Sequence, residues 1–501
     1  MLRTHRHLAR ILVAALVGLS SGAALAAKDK ITIDLVGEPN SLDPHVQWNP
    51  DSYYVYRNIF DNLLTRDDKG EIAPQIATSW KYLSDTRIEF QIRDDVTFHD
   101  GKKLTAEDVA YSVKRITDPK FASPQLGQFD KITDAVANDA KTVTLTTNGA
   151  YPALLAQLAK LSIVPKHVVE AVGKDAFNLK PVGSGPYKFD VWQRGVSVTL
   201  ARNDAYWGPK GAFPIAVFRA IPDAATRTAN LLAGASDLAA NLDGDLAAQL
   251  KTSAKAKPAP VLTERVAYVA MNVQREPMND PKIRQAIAYA IDKQAITEGV
   301  LGGYEKPMPE VLTPAHAGWV AGIKDHPYDL AKAKALIAEA GPKAKQEISL
   351  VTAPVYDQRV VQAIQQMLNQ AGLNVKIEMT DMGQWLRRMQ SGADSIPQMA
   401  FSRWSCGCQD ADGVLFPLLH SSSAWANAKD KGIDSALEEA RQTLDANKRL
   451  ALYKTVHERV ASENYVIPLY QAAVIYGTAK NLEWTPTPNE SIFLNRMSWK
   501  D

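Results

Sequence analysis

The stretch Ile348–Met379 restricts the fold more than any other part of the chain. A short apolar strand at Ile348–Leu350 is followed by apolar residues at helical spacing over Gln358–Ala371, the stop Gly372, and an alternating strand Val375–Met379. A strand, a helix and a strand in that order form a crossover unit, so the two strands run parallel in one sheet whose faces are covered by helices. A parallel sheet places its ligands at the carboxyl ends of its strands. The next helix, Gln384–Gln390, leads into an apolar strand, Pro397–Trp404, which runs out into the polar loop Ser405-Cys406-Gly407-Cys408-Gln409-Asp410-Ala411-Asp412-Gly413. That loop is the candidate ligand contact. It holds both cysteines of the chain, and two carboxylates two residues apart follow a Trp flanked by Arg403. Cys406 and Cys408 form a candidate disulfide. Closing so small a ring, it would stiffen the loop locally rather than staple the fold.

The amino terminus carries Arg3, Arg6 and Arg10, then the apolar run Ile11–Leu19 and Ala24-Leu25-Ala26. This is the pattern of a cleaved secretory signal over residues 1–26, and the apolar run is shorter than the ~20 residues a membrane span needs. No cysteine follows the cleavage site, so a soluble periplasmic product without a lipid anchor is expected. The formal charge of +2, less the three leader arginines, leaves −1. Nucleic acid and anionic membrane therefore have no electrostatic support as partners. About 475 mature residues exceed one hydrophobic core, so two or three domains are expected.

The remaining chain reads as strands, turns and capped helices. Ile31–Val36 alternates as a strand. Tyr53, Tyr54 and Tyr56 cannot all face one core, so at least one is expected to face a cavity or solvent, and Tyr53, Tyr54 and Trp48 are candidate contacts. Asn58–Leu64 is patterned as a helix, Trp80–Tyr82 and Ile88–Ile92 as paired strands, and Val96–Gly101 as a strand ending in an Asp-Gly turn. Thr105–Asp108 is a capping-box start. Tyr187–Trp192 and Ser197–Arg202 form a hairpin, Lys251–Pro260 reads as a surface loop, and Asp280-Pro281 starts a helix running to about Ile296. Long helices are expected at Ile433–Leu444 and Lys448–Ser462, a strand at Val466–Tyr470 and a tail from Trp484. No chemistry is nominated: Gly18-Leu19-Ser20-Ser21-Gly22 falls inside the leader, His457-Glu458 lacks the second histidine of a metalloprotease helix, and the seven mature histidines are scattered. His99 reads as a turn residue. No enzyme, metal or cofactor is indicated.

Several blocks, in order, carry a family resemblance: Glu38-Pro39-Asn40-Ser41-Leu42-Asp43-Pro44, Phe98-His99-Asp100-Gly101, Leu104–Val109, Gly183-Ser184-Gly185-Pro186-Tyr187, Arg202–Trp207 and Asp280–Ile287. With Trp404 and the acids after it, the chain resembles the peptide/nickel-type (family 5) extracellular solute-binding proteins of ABC importers. The resemblance implies an α/β fold of the second periplasmic-binding-protein class. A first lobe would comprise residues 27–60, 180–268 and 476–501, an inserted accessory domain 61–179 and a second lobe 269–475. Crossovers would lie near Val266–Asn272 and Ile475–Thr478, with hinge closure on the solute. It implies a monomeric receptor that binds a peptide or peptide-like solute and delivers it to a membrane permease. Peptide-binding relatives carry, three residues after the Trp, an Asp that pairs with the solute's α-amino group. Here that position is Gly407. Either Asp410 takes over the ammonium, or the solute lacks one there, as in a blocked peptide, an opine-like conjugate or a metal chelate, or Asp410 and Asp412 cap the following helix. The candidate ligand set is Trp404, Asp410, Asp412, Arg403, Gly407, Cys406, Tyr53, Tyr54 and Trp48. Arg403 should face away from Trp404 if the strand is regular. A secreted hydrolase or a peptide-binding chaperone is the rival reading.

Overall fold

The computed structural model describes residues 29–46, 49–67, 70–390 and 396–500. The leader and Trp48 lie outside the described residues. The crossover unit forms as expected: Glu347–Thr352 and Asn374–Met379 pair in parallel, in register from Glu347↔Asn374 to Thr352↔Met379. The helix Gln358–Ala371 between them buries Val361, Ile364 and Leu368. It ends at Gly372, whose φ of 109° is the left-handed conformation that a side chain resists.

These strands belong to an eleven-stranded sheet that runs through both halves of the molecule. Its order is Asn374–Met379, Glu347–Thr352, Met399–Trp404, Ala256–Met271, Val466–Ala479, Leu238–Leu242, Lys30–Leu35, Ile215–Ala220, Ser197–Arg202 and Tyr187–Gln193, with Lys306–Pro307 added beside Val466–Ala479. The strand Lys30–Leu35 is parallel to both its neighbours. The two long strands, Ala256–Met271 and Val466–Ala479, pair antiparallel along nearly their whole length and tie the halves together. A four-stranded antiparallel sheet, built from Ala77–Ser84, Arg87–Ile92, Thr142–Thr147 and Ile132–Ala137, stands apart.

Buried apolar side chains gather in three large clusters. One joins Tyr268 and Val269 to Tyr453 and Leu469, and a second runs from Leu63 to Ile163 around the small sheet. The third combines Ile31–Phe60 with Tyr187–Ala240 and Tyr476–Met497. Val164, Val169 and Phe177 belong to the third cluster, so the helical segment Lys166–Leu179 packs there rather than on the small sheet.

The architecture is that of the second periplasmic-binding-protein class with an inserted unit. Local signals explain much of it. Asp280 accepts from Lys282 N with Pro281 in the first turn, and Ile283 and Ile287 are buried. Asp108 Oδ2 accepts from Thr105 N at 3.0 Å.

Several expectations need correction. The seven-residue helix is Pro50–Tyr56, started by Pro50 behind the Asn49 cap, and Asn58–Leu64 holds turns and a short bridge instead. Val96–Gly101 contributes only the isolated bridge Thr97↔Lys103. Lys251–Pro260 is not a loop throughout, because Ala256 already pairs with Ala479. Small residues there hide a strand that lacks strong alternation. The helix at Pro281 stops at Ala290, and a π-helical turn follows at Ala295–Val300. The segment after Trp484 is no loose tail, since Ile492, Leu494 and Met497 are buried in the third cluster. The long pair slips register between Leu262 and Val266, where Gln471 Nε2 donates to Thr263 O at 2.7 Å.

Candidate functional site

Met399–Trp404 pairs antiparallel with the long strand, Trp404 opposite Val266 and Arg403 opposite Ala267. Strand alternation sends the two side chains to opposite faces. Trp404 is held by its indole N–H, which donates to Gly413 O at 3.0 Å, and by an edge contact with Trp425 at 5.1 Å. It lines a cavity of about 410 Å³ together with Cys406, Gly407, Gln128, Lys160 and Arg441. Arg403 lines a different cavity of about 170 Å³, with Glu305, Asp357 and Tyr470. Burial pushes the Glu305 carboxyl up to about 7. A wider space of about 970 Å³ lies beyond Gln409, against Arg66, His316 and Trp484.

The loop is rigid for identifiable reasons. Cys406 and Cys408 are bonded to each other. A Cβ on Gly413 would sit 2.3 Å from Cys406 Sγ, so glycine is required where the disulfide rests. Gln409 N donates to Cys406 O at 2.7 Å, and Ala411 N donates to Ala317 O at 2.8 Å. Arg66, from the segment before the small sheet, donates to Cys408 O and fastens the loop across the molecule.

The two acids have separate roles. Asp410 is buried, with Arg449 Nη1 and Nη2 at 2.8 and 2.5 Å from its two oxygens, and it also accepts from Asp412 N at 2.9 Å. Its carboxylate is thus occupied inside the protein. Asp412 lines the 410 Å³ cavity, but Arg441 Nε stands 2.8 Å from its Oδ1 as a charge contact without an aligned hydrogen bond. Burial raises the Asp412 carboxyl above the usual carboxylate range, and Arg441 opposes that shift.

Tyr54 is core: its ring is fully buried and its hydroxyl lies 3.4 Å from that of Tyr476. Tyr53 is half-buried and accepts from Ser491 Oγ at 3.0 Å. Neither lines the three cavities described here, so the structure does not gather them with Trp404. Their pattern marks the short helix Pro50–Tyr56 packing its inner face on the first-lobe core. His99 is a turn residue whose ring nitrogen meets Gly185 O at 3.0 Å.

Three cavity residues have no signal in the sequence. Gln128, Lys160 and Arg441 sit on separate segments far from Trp404, and only the fold assembles them. Lys160 donates to Gln128 Oε1, and burial pulls its ammonium down to about 8, against the attraction of Glu264. Glu264 sits where the long pair slips register, buried, with Oε2 lacking a hydrogen-bond partner. Burial is the main cause of its rise to about 7, and Glu490 adds to it. A raised carboxyl gives folding a contribution that is full below the unfolded value and is lost as pH climbs through 7. Glu264→Gln is therefore expected to raise stability at pH 8 by about 2 kcal/mol, with the gain shrinking towards pH 4.5. Denaturant titrations at both pH values measure it; a gain that does not change with pH contradicts the assignment. Among the described residues, no group of three His, Cys, Asp or Glu is placed to hold a metal ion, and no helix is long and apolar enough to cross a membrane.

Two lobes joined by a crossover, an inserted unit and a cavity closed by a strand-end loop define a hinged solute-binding protein. Residues 71–426 match the family model for bacterial extracellular solute-binding proteins, family 5 (middle region), and the chain belongs to that family. It is a periplasmic receptor serving an ABC importer. The chain is 28% identical over 482 residues to the glutathione-binding protein GsiB of Shigella dysenteriae serotype 1, covering 93% of each. Among solved structures, it is similar to the ABC transporter-associated periplasmic binding protein DppA of Helicobacter pylori in complex with the peptide STSA. That match has a TM-score of 0.79 and 26% identity, and covers 94% of this chain and 98% of that one. It is also similar to AgaA of A. tumefaciens R10 in complex with agropinic acid, with a TM-score of 0.76, 26% identity, and coverage of 94% and 99%. These relatives are named as binding proteins.

Proposed function

We propose that the solute is a peptide or a peptide-like conjugate, held in the 410 Å³ cavity between the Trp404–Gly413 loop and the Gln128–Lys160 wall. The observation that carries this reading is the loop itself. It is a stiff strand-end platform, held against the cavity by the disulfide, Gly413 and Arg66. The relatives bind glutathione, the peptide STSA and agropinic acid. Residues 27–60 with 180–268 and 476–501 form the first lobe of this reading, 61–179 the accessory unit and 269–475 the second lobe. Closure turns on the crossover. Trp404, Cys406, Gly407 and Asp412 are contacts in this assignment, Arg403 faces the smaller cavity, and Asp410 supports the loop from behind. The chain acts as a monomer without catalysis, and the mature protein begins at Ala27 without a lipid anchor.

The test is thermal stability of the exported protein with glutathione, dipeptides to pentapeptides and opine-like conjugates. One class should raise the melting temperature by ligand linkage. Intact mass of the same preparation should match a chain starting at Ala27. No shift with any of these solutes, or a mass carrying the leader or an acyl chain, contradicts the corresponding part of the proposal.

A further inference from the structure

The cavity is lined by two acids, Asp130 and Asp412, and two bases, Lys160 and Arg441, and their arrangement does not favour an ammonium. An ammonium needs a carboxylate turned towards it, and the loop has none to spare. Asp410 is closed in two short contacts with Arg449, and Asp412 faces Arg441. Asp130 reaches the rim from an exposed position. On the opposite wall stands Lys160, half-buried, with Gln128 as its hydrogen-bond partner and no carboxylate within ion-pair distance among the described residues. A buried cation is costly unless it is paired, and one facing an open cavity supplies a partnering site for an anion.

Gly407 completes the arrangement. A Cβ built there lies 3.8 Å from Lys160 Cε and 3.9 Å from Cδ, so the lysine stem runs alongside the glycine with ordinary contact. An acidic side chain at 407 would reach the ammonium and neutralise it. Glycine adds no charge there, so beyond the hydrogen bond to Gln128 and the attraction of Glu264 the ammonium is open to the solute.

Resting on the assignment of a peptide-like solute to this cavity, we propose that Lys160 is a specificity-determining residue that binds a carboxylate of the solute opposite Gly407. The carboxylate is the C-terminus of a peptide, an acidic side chain or the acid of a conjugate. A free α-amino group is not required. Trp404 supplies the apolar wall beside it, and Gln128 orients the ammonium.

The experiment is calorimetric titration of the full mature protein with a matched series: alanyl-glutamate, its N-acetyl form, its C-terminal amide and its fully amidated form, alongside glutathione. N-acetylation should change affinity by no more than a few-fold. Removing the carboxylate that Lys160 reads should weaken binding at least about tenfold, as expected for a charge-assisted hydrogen bond. Comparing the C-terminal amide with the fully amidated form shows which carboxylate that is. Lys160→Met and Gly407→Asp should each lose the same factor on acids and nothing further on the fully amidated form, while Lys160→Arg should retain most of the affinity. Melting curves of each variant alone separate misfolding from lost recognition, and the wild-type series needs no variant at all. Equal binding of acid and amide, or loss on acetylation alone, overturns the proposal while leaving the receptor reading intact. No binding of any member, including glutathione, overturns both.

Discussion

Replacing Asp410 by alanine is expected to lower the stability of the protein by about 3–5 kcal/mol, the cost of leaving one member of a buried ion pair without its partner. The carboxylate is enclosed with Arg449 at 2.5 and 2.8 Å, and Arg449 also donates to Ala440 O at 3.3 Å. Removing the acid strands a guanidinium between two packed helices, Lys431–Ala440 and Ala446–Glu463. It also frees Asp412 N, which Asp410 caps. Chemical denaturation measures the loss. The double variant Asp410→Leu with Arg449→Met should lose clearly less than the sum of its two single changes, because the unpaired charge is gone. A solute-reading Asp410 would behave otherwise: affinity would fall in a protein of unchanged stability. That outcome would return Asp410 to the ligand set.

This pair shows why the site was only partly legible in the sequence. The strand that ends at Trp404, the loop after it and the opposite facing of Arg403 follow from local pattern, because alternation and turn chemistry act over a few residues. The crossover unit, the hairpin Tyr187–Arg202 and the capped helices were readable for the same reason. What the two acids do was not readable. Asp410 and Asp412 look alike in the chain, and their difference comes from Arg449, in the helix Ala446–Glu463, and Arg441, which caps the end of Lys431–Ala440. The cation at Lys160 was equally hidden. It follows a short apolar helix, Leu154–Leu158, and nothing near it in the chain marks a cavity wall. The strand from Ala256 was missed because its alanines and prolines carry little hydrophobic contrast, although long-range pairing with Val466–Ala479 fixes it. Tyr54 misled in the opposite sense: an aromatic run suggested a cavity, but the core took its ring.

The second large effect should come from Asp43, in the block Ser41-Leu42-Asp43-Pro44-His45. Asp43 is fully buried, with Arg115 of the accessory unit at 2.9 and 2.5 Å from its two oxygens, and it caps His45 N at 3.0 Å. Three more contacts bind the same loop to that unit. Ser123 Oγ donates to His45 O, Gln125 Nε2 donates to Pro44 O, both at 2.7 Å, and His45 Nε2 meets Ser162 O at 2.8 Å. Asp43→Ala is expected to cost about 3–5 kcal/mol in denaturant unfolding, by the same stranded-charge argument. It should also weaken solute binding, although Asp43 touches none of the cavities described. In the proposed lobe assignment Lys160 and Gln128 belong to the accessory unit and Trp404 to the second lobe, so the cavity's shape depends in part on how the accessory unit is held to the first lobe. Loosening that joint leaves the crossover hinge intact but lets one wall drift against the other, and a misplaced charge loses most of its grip within a few ångströms. Arg115→Met should reproduce both losses, and the two changes together should not double them. Unchanged affinity in a destabilised Asp43→Ala protein would mean that the accessory wall is positioned by other contacts.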